Sequence, residues 1–77
     1  METLIRVKRA IAKTLNIDML KIPDNAHLQY DLCADSLDIL MIRLAVEDEF
    51  NITFSNQELK NMLTIESICK TIENREE

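Results

Sequence analysis

The chain has 77 residues, 47% hydrophobic and 30% charged, enough for one small folded domain and too few for an enzyme with a deep pocket of its own. It contains no glycine, which excludes glycine-rich phosphate loops and dinucleotide fingerprints and works against hairpins with primed turns. A net charge of −5 argues against nucleic acid and anionic membrane surfaces and favours a protein partner with a basic face.

Met1-Glu2-Thr3-Leu4 lacks the basic-then-apolar pattern of a signal peptide, and no stretch approaches the ~18 apolar residues of a membrane span. A cytoplasmic location is therefore expected. Leu4, Val7, Ile11 and Leu15 fall on one helical face and predict a first helix over roughly residues 3–15. Residues 16–35 are less periodic and hold Asn16, Asp18, Pro23, Asp24 and Asn25, which reads as a long ordered loop. Ile17, Leu20, Ile22, Leu28 and Leu32 are expected to pin that loop to the core. Its length in so small a domain points to function.

Ser36 to Phe50 reads as the second helix. Ser55-Asn56-Gln57-Glu58 has the spacing of a capping box and predicts a short third helix ending near Asn61. Thr64 is placed to cap a fourth helix carrying Ile65, Ile68, Cys69 and Ile72 at helical spacing, and Glu73 to Glu77 reads as a charged, frayed tail. The expected fold is all-α: a small four-helix bundle of three main helices and a short third one, forming a single domain over residues 1–77. Cys33 and Cys69 read as small residues, each buried or half-buried, rather than a disulfide or metal pair.

Charge is concentrated around the second helix. Residues 31–58 carry seven acidic groups, with Arg43 as the only basic one. On that helix Ile39, Ile42, Val46 and Phe50 gather on one side, while Leu37, Leu40, Met41 and Leu44 gather on the other. Either the loop covers this second stripe, or the stripe is presented to partners within a rim of Asp35, Asp38, Asp48 and Glu49. A methionine adapts to different partners, and charge around an apolar centre suits repeated transient encounters.

Asp35-Ser36-Leu37 opens the helix. Asp and Ser are ordinary capping residues. The free N–H groups and positive dipole end of a helix N-terminus would also welcome a phosphate on Ser36. No catalytic base is evident nearby; His27, the only histidine, reads as a loop residue rather than part of a Ser-His-Asp triad. No metal site is expected. An EF-hand fails for want of its glycine and ligand order, and the clusters Asp31/Asp35/Asp38 and Glu47/Asp48/Glu49 would hold cations only non-specifically.

The run Asp31-Leu32-Cys33-Ala34-Asp35-Ser36-Leu37-Asp38 resembles the acyl carrier protein signature, in which Asp-Ser-Leu bears the prosthetic group. Leu44-Ala45-Val46-Glu47-Asp48-Glu49-Phe50 is similar to the family's acidic end of the second helix. Length, helix order, long first loop and acidity agree along the whole chain. The sequence departs from the family pattern at Cys33, where glycine is typical, at Met41, where an acidic residue is common, and at Arg43, which adds positive charge to the helix.

The resemblance implies a carrier with no catalysis of its own. Ser36 would be modified from coenzyme A by a phosphopantetheinyl transferase. The resulting 4′-phosphopantetheine arm would hold acyl groups as thioesters for fatty acid or polyketide synthase-type enzymes, acyltransferases or a dedicated acyl ligase. The carrier is expected to be a monomer. Asp35, Leu37, Asp38, Leu40, Met41, Leu44, Glu47 and Asp48 are the expected partner-recognition residues. Ile42, Val46, Phe50, Phe54, Leu59, Met62 and Ile68 are the candidates for an acyl-chain cavity. The alternative is a non-carrier acidic helical adaptor that uses the Leu37, Leu40, Met41 and Leu44 stripe.

Overall fold

A computed structural model describes residues 2–75. Helix α1 spans Glu2–Leu15, α2 Ser36–Phe50, α3 Asn56–Lys60 and α4 Ile65–Arg75, with one turn of 3-10 helix at Met19–Lys21 in the long connection. The all-α expectation holds among the described residues. The one departure from it is an isolated antiparallel bridge between His27 and Thr64. There Leu28 N–H donates to the Leu63 carbonyl at 2.9 Å and Ile65 N–H to the Ala26 carbonyl at 3.0 Å, stitching the long loop to the start of α4.

Helix α1 packs along both α2 and α4. Its apolar stripe supplies buried Val7 and Ile11, which meet Ile42 and Val46 of α2 and Ile65, Ile68 and Ile72 of α4 in one core. The core is rich in β-branched side chains, which have few rotamers to lose on burial. Every end of α2 and α3 is chemically specified. Asp35 caps α2: its Oδ1 accepts from Asp38 N–H at 2.8 Å, while Asp38 Oδ2 accepts from Asp35 N–H at 3.3 Å. Ser55 and Glu58 form the expected box at α3, with bonds of 3.1 and 2.9 Å. At α4 the Thr64 hydroxyl accepts from Ser67 N–H at 3.1 Å, as an N-cap does.

A chain without glycine must still leave its helices. Helix α1 ends with Asn16 at φ 57° and α2 with Asn51 at φ 55°, both left-handed. In each case the next amide reaches back five residues, Ile17 to Ala12 and Ile52 to Glu47, both at 3.0 Å. Asparagine is the ordinary substitute for glycine in this role, because its short polar side chain tolerates the left-handed region.

Two expectations need correction. Ile17 and Leu20 do not pin the loop. Ile17 is exposed and Leu20 is 86% exposed, because the 3-10 turn, capped by Asp18, points Leu20 outward. Ile22 and Leu28 are buried and Leu32 is half-buried, so the loop is held from its middle and end. The expected fraying from Glu73 does not occur within the described residues, since α4 continues to Arg75. The Arg75 guanidinium bonds back to the Glu58 carboxylate and fixes that last turn against α3. Glu76 and Glu77 lie outside the described residues.

Candidate functional site

Ser36 is the first residue of α2 and is exposed. The Asp35 carboxylate takes the Asp38 amide and the Asp35 carbonyl takes the Ile39 amide at 2.9 Å. The Ser36 and Leu37 amides precede the first intrahelical bond and point toward the helix end. This is the positive end of a 15-residue helix dipole. A phosphate ester on Ser36 would find two free donors there. The Asp35 and Asp38 carboxylates are its like-charged neighbours, and both are engaged in the cap.

The approach to Ser36 is shaped by Cys33. Its φ is 57°, so this is a left-handed position, the conformation glycine adopts without strain. Cys33 is free and exposed there, against the expectation of a buried or half-buried thiol, because the left-handed turn carries its side chain outward while Ala34 takes the buried place. The next residue, Ala34, is buried and its N–H donates to the Leu28 carbonyl at 2.9 Å. The His27 turn before it is closed by side chains. Asp31 Oδ2 accepts from His27 N–H at 2.7 Å, and His27 Nδ1 accepts from the Gln29 and Tyr30 amides at 3.2 Å each. His27 therefore serves the backbone of its own loop, with its ring stacked on Tyr30 at 4.2 Å.

Directly beside Ser36 lies a cavity of about 220 Å3 between α2, α3, α4 and the loop. Ile42, Leu59, Met62 and Ile68 line it. Three other candidates lie elsewhere: Val46 and Phe54 are buried outside the cavity lining, and Phe50 is half-buried beneath the Arg6 guanidinium. Leu28, Ile39, Leu40 and Arg43 also line the cavity and were not anticipated. Arg43 stands seven residues after Ser36, two turns along the same face, so helical spacing alone carried that signal.

Leu37, Leu40, Met41 and Leu44 remain uncovered among the described residues, Leu37 at 63% and Leu44 at 53% exposure. The long loop's Ile22, Ala26, Leu28 and Ala34 are buried in the core with Ile42 and Val46. Asp35 and Asp48 are exposed at the two ends of this stripe, and Asp38 is half-buried. Glu47 is turned inward, 13% exposed, with its Oε2 accepting from Phe54 N–H at 2.8 Å. Its first task is to tie the end of α2 to the segment after it. Among the described residues no group of three or more His, Cys, Asp or Glu side chains is placed to hold a metal ion. Also among them, no helix is long and apolar enough to cross a membrane.

Comparison with known proteins gives this geometry its family. Residues 6–72 match the family described as the phosphopantetheine attachment site. An acyl carrier protein of Buchnera aphidicola subsp. Schizaphis graminum is 39% identical over 70 residues, covering 91% of this chain and 89% of the relative. One from Buchnera aphidicola subsp. Baizongia pistaciae is 39% identical over 67 residues, covering 87% and 86%. One from Thermosynechococcus vestitus is 32% identical over 74 residues, covering 96% and 91%. The chain belongs to the acyl carrier protein family. The prosthetic group of that family's domain is 4′-phosphopantetheine, and an exposed serine at a helix N-terminus beside an apolar cavity is chemically suited to bear it.

Proposed function

We propose that Ser36 is the attachment point of 4′-phosphopantetheine, and that the chain is a single-domain, monomeric, cytoplasmic carrier without catalysis of its own. The observation that carries this reading is the coincidence of three features at one residue. Ser36 is exposed, it begins α2, and it lines a largely apolar cavity. The arm supplies a thiol that holds acyl groups as thioesters. The protein's residues do the rest. Free amides at the start of α2 stabilise the phosphate. Asp35, Leu37, Asp38, Leu40, Met41, Leu44 and Asp48 form an apolar stripe with acidic ends for docking, and Glu47 holds the end of that surface in place. Ile42, Leu59, Met62 and Ile68 offer the acyl group a place out of water.

The partners fitting this surface are a phosphopantetheinyl transferase, fatty acid or polyketide synthase-type enzymes, acyltransferases or a dedicated acyl ligase. Tethering would raise the local concentration of the acyl group at each partner's active site. Ser36→Ala tests the reading against that of an adaptor using the same stripe. A carrier loses all acyl loading while its docking to a transferase persists. An adaptor keeps its partner binding and never acquires an acyl group in either form.

A further inference from the structure

The cavity beside Ser36 is lined by apolar side chains with two exceptions, Ser36 itself and Arg43. Arg43 is the one charged residue in that lining. Arg43 is 30% exposed and makes one ion pair among the described residues, Nε to Glu47 Oε2 at 3.4 Å. That pair is a weak anchor. The same oxygen accepts a 2.8 Å bond from Phe54 N–H, and Arg75 also lies close enough to Glu47 for its charge to be felt. An arginine placed before its glutamate is also the less favourable order on a helix.

The other paired arginines are used more fully. Arg6 binds Glu49 through Nε at 2.8 Å and through Nη2 at 2.9 Å, and Arg75 grips Glu58 through both of the same nitrogens. Arg43 engages only Nε, and its terminal nitrogens make no hydrogen bond within the described residues. They present the fork that matches a carboxylate through two parallel bonds.

Resting on the carrier reading of Ser36, we propose that Arg43 is a specificity-determining residue for the cargo. The cavity favours a short acyl group ending in a carboxylate, the half-thioester of a short dicarboxylic acid, over a plain alkyl chain of the same length. A cavity of about 220 Å3 has room for roughly eight heavy atoms, given that ~150 Å3 takes a benzene ring. The methylenes lie against Leu59, Met62 and Ile68, and the terminal carboxylate takes the free edge of Arg43.

The test uses the full chain, converted with coenzyme A analogues to adipoyl and hexanoyl forms. Intact mass first reports whether Ser36 was loaded. Failure to load overturns the carrier reading, and this proposal with it, and is distinguishable from every result below. On loaded protein, thioester cleavage by hydroxylamine is timed, each rate divided by that of the same thioester on free pantetheine. The adipoyl form is expected to be protected about fivefold more than the hexanoyl form, as one net charge-assisted contact allows. Arg43→Met should reverse the preference, and Arg43→Lys should keep only part of it, with unchanged helicity in both. Equal protection of the two cargoes in the unaltered protein would overturn the proposal. So would an Arg43→Met effect of equal size on both, which would mean that Arg43 serves the arm's phosphate rather than its cargo.

Discussion

Cys33 occupies a backbone position that asks for glycine. At φ 57° an L-residue has its Cβ close to the following carbonyl oxygen, at a cost of roughly 1–2 kcal/mol. Glycine would remove that strain but lose more freedom on folding, a penalty of about 0.5–1 kcal/mol. Cys33→Gly should therefore stabilise the protein by about 0.5–1 kcal/mol in urea unfolding. Cys33→Val, β-branched and bulkier, should destabilise it. If glycine were the more destabilising of the two, strain at this position would be refuted. Chemical difference between the two thiols follows from their surroundings. Burial, with the Glu73 carboxylate next to it, pushes the Cys69 thiol up, whereas Cys33 stands exposed three residues from Ser36.

At the scale of the element, the start of α2 serves two ends with the same residues. Asp35 and Asp38 close a capping box and also present negative charge beside Ser36. The substitutions Asp35→Ala and Asp35→Asn separate these roles. The alanine variant should lose about 1 kcal/mol of stability through the cap, while asparagine, a comparable cap, should lose little. Both should be modified more slowly by a phosphopantetheinyl transferase, since both lose the charge. An asparagine variant modified at the normal rate would mean that the transferase does not read that charge.

The third and fourth helices are joined by one carboxylate. Bonds from Arg75 and from the Ser55 amide hold Glu58 well below the usual carboxylate range, at about 2. The Arg75 guanidinium is correspondingly pushed up. A carboxylate whose folded value is depressed contributes fully above its ordinary value near 4.5 and loses that contribution as the pH falls toward 2. Acid unfolding of Glu58→Gln should accordingly show a shallower loss of stability between those limits than the unaltered chain. Superimposable slopes would show that the pair is satisfied by solvent.

Much of this was legible in the residues, for physical reasons that also mark where legibility stops. Helical spacing located α1 and α4, and side-chain capping chemistry located the start of α3, because both act within a few positions along the chain. Ser36 was different: capping chemistry alone reads Asp35-Ser36-Leu37 as an ordinary helix start, and only the resemblance of the run Asp31 to Asp38 to a family signature singles the serine out. Helix α2 resisted, since apolar residues on both sides left the buried face undecided until α1 and α4 were seen to pack on the Ile42 and Val46 side. Leu20 was misjudged because hydrophobicity does not encode the direction in which a 3-10 turn points a side chain. The cavity was only half anticipated. Its walls come from four separate segments, which no local pattern in the sequence brings together.

At the scale of the whole molecule, α2, the long loop, α3 with the residues after it, and α4 together line an open-sided space to which α1 contributes no lining residue. Its lining sets β-branched Ile39, Ile42 and Ile68 beside Leu59 and Met62, and a methionine there adapts its shape easily. A chain lodged there would bind the folded state alone, so acylation with a chain that fits should raise the melting temperature. An unchanged melting temperature for such chains would place the acyl group in solvent.

The central claim is that Ser36 bears the arm, and intact mass tests it most directly. The protein is incubated with coenzyme A and a broad-specificity phosphopantetheinyl transferase, beside Ser36→Ala as control. The account predicts a gain of one phosphopantetheinyl group in the unaltered chain and none in the control. No gain in a folded, initially unmodified chain, or an equal gain in both proteins, would contradict it.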